Sequence, residues 1–172
     1  MKNWFILLLF SFSLFSCGLK TRVKQELTTK VKIGESAPNF SFTDKDGRKQ
    51  QLSDLKGKVV FINFFATYCG ICMTEMPRIQ KDLFEQYKND SDFVVLAVGQ
   101  NSLQDLIAFK ERKKLEFPII PDENGIIYNL YASDLVPRNF VVDKEGKLIY
   151  CSVGFQEPEF EKIKLAIANQ LR

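Results

Sequence analysis

The segment Val59–Phe65 is apolar at every position except Asn63, and it is rich in β-branched and aromatic side chains. Such a run is typical of a central strand that is buried on both faces. A helical pattern follows from Cys69 to about Lys88, where apolar residues recur every three or four positions. Pro77 lies inside this pattern and is expected to kink the helix. A buried strand that leads directly into an amphipathic helix indicates an α/β domain.

Further strands and helices are predicted on both sides of this unit. Phe40, Phe42, the turn Asp46-Gly47 and residues 49–52 have the pattern of a β-hairpin. Strands are predicted over 93–98 and 117–120, a short helix or turn over 124–131, and a second hairpin over 139–142 and 147–153. Amphipathic helices are predicted over 157–171 and over 103–113, the latter with Leu103, Leu106, Ile107 and Leu115 on its packed face. This order predicts a central mixed sheet flanked by helices, with an added N-terminal β-hairpin.

The composition excludes several kinds of chemistry. The 172 residues contain no histidine, which removes Ser-His-Asp and Cys-His triads, His-ligated metal sites and His acid–base catalysis. Lys and Arg number 24 against 21 Asp and Glu, and a net charge of +3 is too small to suggest nucleic-acid binding. The four cysteines are therefore the main candidates for chemistry.

Two of these cysteines lie where the central strand passes into the helix, as Cys69-Gly70-Ile71-Cys72. A Cys at a helix N-terminus is stabilised as a thiolate by unsatisfied N–H groups and by the helix dipole, and the thiolate is the species that attacks disulfides. We expect Cys69 to be the exposed nucleophile and Cys72 the buried resolving thiol, with no cofactor beyond their own redox-active disulfide.

Two other interpretations of the dithiol are weaker. A structural disulfide across two intervening residues closes a very short loop and stabilises little. A zinc site needs four ligands, and the only other thiols are Cys17 and Cys151, so no metal site is predicted. Cys151 lies in the apolar segment Leu148–Val153 and is interpreted as a small buried hydrophobic residue.

The N-terminus has the pattern of an export signal. Residues 1–16 combine Lys2 with a 12-residue apolar or hydroxyl-bearing run, which is too short for a spanning helix of about 20 residues. Leu14-Phe15-Ser16-Cys17-Gly18 resembles the lipobox of bacterial lipoproteins, which implies that Cys17 is lipidated. A transmembrane anchor and an ordinary cysteine near a cleavage site are the alternatives. Residues 17–33 are predicted to be a lipidated tether, and residues 34–172 the domain.

The stretch Lys58–Pro77, KVVFINFFATYCGICMTEMP, resembles the TlpA/ResA type of thioredoxin-like proteins, which are related to the AhpC/TSA and Redoxin group. Residues 136–143, VPRNFVVD, resemble a second motif of that family. The resemblance extends over about residues 34–172 and implies a thioredoxin-like fold with a cis peptide at Val136-Pro137 beside the dithiol. It implies that substrates bind at Tyr68, Gly70, Ile71, Val136 and Pro137. Tyr68 replaces the usual Trp and Ile71 the usual Pro, so the start of the helix is less constrained.

Proton transfer to Cys72 needs a separate candidate. Thioredoxin itself has a buried Asp six residues before the first Cys, but this position is Asn63, which cannot accept a proton at neutral pH. Glu75 lies one helical turn after Cys72 and matches a Glu of the family. We expect Glu75 to be the proton acceptor; the alternative is a solvated first-turn Glu that only complements the helix dipole.

These observations predict a thiol–disulfide oxidoreductase on the extracytoplasmic, periplasmic side of a bacterial membrane, held there by a lipid anchor. The resemblance implies a monomer that exchanges electrons with protein thiols and disulfides as a reductant, receives electrons from a CcdA/DsbD-like membrane donor and serves redox homeostasis or cytochrome c maturation. Two alternatives are a thiol peroxidase and a copper-delivery lipoprotein. Peroxiredoxins carry PxxxTxxC, whereas in this chain Ile62 stands at the position of the Pro and Ala66 at the position of the Thr before Cys69. The copper-delivery proteins have the motif CxxxC and a distant His, and this chain has neither.

Overall fold

The computed structural model describes residues 25–44 and 47–172. The strands are β1 (Ser41–Thr43), β2 (Lys49–Gln51), β3 (Val59–Phe65), β4 (Phe93–Gly99), β5 (Ile119–Pro121), β6 (Arg138–Val142) and β7 (Leu148–Val153). The helices are α1 (Gly70–Arg78), α2 (Leu103–Lys113), α3 (Tyr128–Tyr131) and α4 (Glu157–Gln170), with a 3₁₀ turn at Leu52–Leu55.

The five-stranded sheet has the order β5-β4-β3-β6-β7, with β3 parallel to β4 and antiparallel to β6. The mixed sheet predicted from the sequence is therefore confirmed. Strands β1 and β2 form a separate antiparallel hairpin, as predicted. Gly47 of the predicted turn has a φ of 79°, a conformation that favours glycine, whereas Asp46 lies outside the described residues.

Strand β3 lies at the centre of the sheet, and all seven of its residues are buried. Val59, Phe61 and Phe65 face a core built with α1, α2 and α4. Val60, Ile62 and Phe64 face a second core, which contains α3 and the aromatic residues of the β1–β2 hairpin. Burial on both faces explains why this strand is apolar throughout instead of alternating.

The helix predicted from Cys69 to about Lys88 is continuous but not uniform. After α1 it becomes π-helical over Ile79–Phe84 and ends with an α-helical turn at Glu85–Tyr87. The departure from α geometry follows Pro77, which has no N–H to donate within the helix.

The packed face predicted for the second helix is wrong in part. Leu106 and Phe109 are buried, whereas Leu103 and Ile107 remain 58% and 51% exposed. The ring of Phe109 packs on Phe65 with centroids 5.4 Å apart. The helix is therefore rotated toward Phe109, which the sequence pattern left off the apolar face.

The predicted signal peptide and Cys17 lie outside the described residues, and the tether assigned to 17–33 is described only from residue 25. Residues 25–33 lie against the domain, since Thr29 forms a β-bridge with Ala132 and the Lys30 N–H donates to the Tyr131 carbonyl at 2.9 Å. Over the ranges 25–44 and 47–172, the structure contains no helix that is long and apolar enough to span a membrane.

Candidate active site

The dithiol lies at the carboxyl end of β3, where α1 begins. Cys69 is the N-cap residue of α1 with an extended backbone, and its Sγ accepts a hydrogen bond from the Cys72 N–H at 3.2 Å. The two cysteines are joined as a disulfide, with their Cα atoms 5.3 Å apart. The first turn of α1 has no acidic residue that would oppose a negative charge on Cys69. The helix N-terminus therefore favours the thiolate at Cys69.

Exposure differs sharply between the two cysteines. Cys72 is completely buried, whereas Cys69 is partly exposed. Tyr68 and Ile71 beside them are 77% and 54% exposed, and Gly70 is also on the surface. An incoming disulfide can thus reach Cys69 and not Cys72, which is the order of attack expected from the sequence.

The loop before β6 completes this surface. Because β6 runs antiparallel to β3, its first residues lie at the same end of the sheet as the end of β3. The Val136-Pro137 peptide is cis, as expected, and the Val136 carbonyl oxygen lies 3.7 Å from Cys69 Sγ. Pro137 is buried and Val136 partly exposed. The structure thus brings both residues to the dithiol, together with Tyr68 and Ile71.

Glu75 lies one helical turn after Cys72 in α1, is buried and is held by two amides. Asn63 Nδ2 donates to Glu75 Oε2 at 3.0 Å, and Asn139 Nδ2 donates to Oε1 at 2.6 Å. Asn63 Nδ2 also donates to Asn139 Oδ1 at 2.7 Å. Glu75 is fully inaccessible to solvent, so the alternative of a solvated first-turn Glu is wrong.

Burial is the dominant influence on the Glu75 carboxyl. Loss of hydration raises its pKa from an ordinary 4.5 to about 7, although the hydrogen bonds from Asn139 and Asn63 act in the opposite direction. A carboxyl that titrates near neutral pH can take up a proton from a thiol and release it again.

Asn139 is a site residue that the sequence analysis missed. It lies in β6 directly opposite Asn63 of β3, and both side chains are buried. Among the described residues, Asn63 Oδ1 is one of two buried side-chain atoms without a hydrogen-bond partner. A usable signal was present, because Asn63 and Asn139 are polar residues inside otherwise apolar strands, where they need buried partners.

Cys151 is separate from the dithiol. It is unpaired and half-buried on β7, and Gln25 Nε2 contacts its Sγ at 3.7 Å. Burial raises the pKa of this thiol, which favours its protonated form over the reactive thiolate. Cys151 lies in the apolar strand as expected, but it is half-buried and not the fully buried residue that the sequence suggested.

A thioredoxin-like fold, an accessible cysteine at a helix N-terminus and a buried partner three residues later together define a thiol–disulfide oxidoreductase. The AhpC/TSA family model matches residues 33–151. Thiol-disulfide oxidoreductase ResA of Bacillus cereus is 35% identical over 130 residues, which cover 76% of this chain and 75% of the relative. The Bacillus subtilis ResA is 31% identical over 125 residues, which cover 72% of this chain and 69% of the relative. The chain belongs to the AhpC/TSA family, among its ResA-like thiol–disulfide oxidoreductases.

Solved structures are similar over most of the chain. A candidate protein disulfide isomerase from Bacteroides thetaiotaomicron has a TM-score of 0.79 at 34% identity, over 84% of this chain and 92% of its own. The exposed lipoprotein thioredoxin Etrx1 of Streptococcus pneumoniae has a TM-score of 0.60 at 29% identity, over 78% of this chain and 98% of its own.

Proposed function

We propose that this protein is a lipid-anchored, extracytoplasmic reductant of protein disulfides. The observation that carries the proposal is the asymmetry of the dithiol, with Cys69 accessible at a helix N-cap and Cys72 buried one helical turn before the buried Glu75. The lipobox-like segment ending at Cys17 supports the anchor, and a structurally similar relative is itself described as an exposed lipoprotein thioredoxin.

The proposed reaction starts from the reduced dithiol. The Cys69 thiolate attacks one sulfur of a substrate disulfide, a mixed disulfide forms, and the other substrate sulfur leaves as a thiolate that takes up a proton. Glu75 then accepts the Cys72 proton, and the Cys72 thiolate attacks the Cys69 sulfur. The second substrate thiol is released, and the Cys69–Cys72 disulfide remains. Two electrons have then passed from the enzyme to the substrate.

Recycling requires an external dithiol that reduces Cys69–Cys72 again. The resemblance found in the sequence suggests a membrane thiol transporter of the CcdA/DsbD type as donor, with cytochrome c maturation as the setting. In this scheme the protein acts as a monomer and needs no cofactor other than its own cysteines. The reduction potential of the pair tests the direction of flow, since about −250 mV or lower supports a reductant and about −120 mV contradicts it.

The roles of the two cysteines can be tested by trapping. We expect Cys69→Ser to abolish the reduction of insulin disulfides, because Cys72 is buried and cannot reach the substrate. Cys72→Ser should instead accumulate mixed disulfides through Cys69, because the resolving thiolate is missing. Mass spectrometry of the captured adducts identifies the bonded cysteine, with Cys151→Ser as the control that should change neither result. Capture of wild-type adducts through Cys72 would reverse the assignment.

A further inference from the structure

Arg138 directly follows Pro137 and is buried, with only 1% of its surface exposed. Its Nε and Nη2 donate to the Asp134 carbonyl at 3.2 and 2.9 Å, and Nη1 donates to Thr29 Oγ1 at 2.7 Å. Nη2 also donates to Thr28 Oγ1. A buried guanidinium is costly unless its donors are satisfied. Here the acceptors come from two separate parts of the chain.

One of these parts is residues 25–33, which we call the N-terminal strap. Besides the contact at Lys30, the Ser133 N–H donates to the Thr28 carbonyl at 2.9 Å, and Gln25 Nε2 donates to the Cys151 carbonyl at 3.1 Å. The strap thus lies along the segment that leads from α3 to the loop Asp134–Pro137, which we call the cis-proline loop.

The other part is the loop Asp134–Pro137 itself. Leu135 has a φ of 72°, which is strained for a residue other than glycine. Its carbonyl accepts a hydrogen bond from the Tyr128 hydroxyl at 2.7 Å, and its N–H donates to Asp134 Oδ1 at 2.8 Å. Arg138 therefore holds one end of a strained loop. In this loop Val136 follows Leu135, and its carbonyl faces Cys69.

We propose that Arg138 is a positioning residue, and that through it the docked N-terminal strap holds the cis-proline loop in the conformation that accepts protein disulfides. This inference rests on the proposed function. A polypeptide joined to the attacked sulfur must pass over the surface around Cys69, and the Val136 carbonyl is part of that surface. A small disulfide makes few contacts there. Strap docking should therefore govern the binding of protein substrates more than the chemistry at Cys69.

The test uses the full-length chain in detergent and measures its turnover with two substrates. One is insulin, whose disulfides are reduced, and the other is a small aromatic disulfide. Thr28→Val combined with Thr29→Val keeps the volume of both side chains but removes the two hydroxyl acceptors, together with the hydrogen bond from Thr29 Oγ1 to the Gln25 carbonyl. We expect KM for insulin to rise about fivefold, while kcat and the rate with the small disulfide stay within about twofold. Arg138→Lys should behave alike, because a single ammonium cannot span the strap and the Asp134 carbonyl. Thr43→Val, on the exposed hairpin strand, is the matched control.

Tyr128→Phe provides a second variant that leaves the strap hydroxyls in place. It releases the same loop at Leu135 and removes the hydroxyl that contacts the Arg138 side chain, so it should also raise KM for insulin. An unchanged KM in folded strap and Tyr128 variants would overturn the inference. Equal losses with both substrates would also overturn it, since they would indicate a merely structural role. If the wild-type enzyme reduces the small disulfide but not insulin, the proposed function itself fails, and the inference with it.

Discussion

Glu75 illustrates how two opposing effects act on one carboxyl group. Two amide donors favour its ionised form, yet the loss of hydration is larger and brings the pKa to about 7. A water-exposed Glu would be ionised at neutral pH and would be a weak base toward a thiol. Burial therefore gives this residue a proton affinity that suits exchange with Cys72.

The kinetic prediction concerns the release of the mixed disulfide. Glu75→Gln should preserve the first attack by Cys69 but slow resolution by at least about tenfold near neutral pH, because acid–base assistance is typically worth 10²–10⁴-fold. The deficit should shrink as the pH rises and Cys72 ionises unaided. Rapid-mixing kinetics across pH measures both steps, with the exposed Glu111→Gln as control. Wild-type resolution rates near pH 7 in the Glu75 variant would mean that water accepts the proton.

The same group makes a prediction about stability. The folded state binds the Glu75 proton more tightly than the unfolded chain, so stability contributed by protonation is present below about pH 4.5 and is lost as pH rises through about 7. Glu75→Gln cannot ionise and should lose less stability across this range. Relative to the variant, the free energy of unfolding of the wild type should fall by on the order of 3 kcal/mol between pH 4 and pH 8, from about 1.4 kcal/mol per pKa unit. Urea unfolding of both proteins at the two pH values measures it. Parallel pH profiles would show that Glu75 is not perturbed.

At the scale of elements, pairing between strands brings the site together. The register of β3 against β6 sets Asn63 opposite Asn139, and α1 places Glu75 over both. The antiparallel direction of β6 also carries its first residues to the end of β3, next to Cys69. The site therefore depends on three elements that meet at one end of the sheet.

Close packing of α2 on β4 depends on Gly99. A Cβ at this position would lie 2.4 Å from Leu106 Cδ2 and 3.1 Å from Phe65 Cζ, both of which are buried. We expect Gly99→Ala to destabilise the protein by about 1–3 kcal/mol through overpacking. Gly70→Ala is the matched control, because its added Cβ meets nothing within 4 Å apart from its chain neighbours and the backbone of its own helix. Denaturant unfolding compares them, and equal stabilities would show that α2 shifts without cost.

At the scale of the whole molecule, two cores on opposite faces of the sheet support the site from below. One core includes Cys72 and Met76 of α1, and the other includes Tyr128 and Tyr131, which lie under the loop that leads to Val136. Cys69 packs against the first core, whereas Val136 of the cis-proline loop packs against both, and β3 and β6 contribute to both cores.

The membrane anchor is the prediction that belongs to the whole chain. Palmitate labelling in a bacterial host should tag the wild-type protein at Cys17 and not the Cys17→Ala variant, which should be released from the membrane fraction. Cys151→Ser should retain the label, because Cys151 lies half-buried in a strand. An unlabelled, freely soluble wild-type protein would contradict the lipoprotein prediction and favour ordinary secretion.

Much of the fold was predictable because its signals are local. The apolar run Val59–Phe65, the turn residues of both hairpins and the periodicity of α1 and α4 each reflect the environment of one element. The face of α2 was not predictable in the same way. Leu103, Leu106 and Ile107 have suitable spacing, but the packing of Phe109 on Phe65 and of Leu106 over Gly99 selected another rotation.

By itself, the sequence determined the chemistry at Cys69 and Cys72, because a strand–helix junction and a spacing of three residues are properties of a short stretch of chain. Only the tertiary structure decided the burial of Glu75 and the surroundings of Asn139 and Arg138. Asn139 and its partner Glu75 are 64 residues apart in the sequence, and Arg138 and its partner Thr29 are 109 residues apart. Burial, and therefore the pKa of Glu75 and the cost of an unpaired guanidinium, arises only when such distant segments pack together and exclude water.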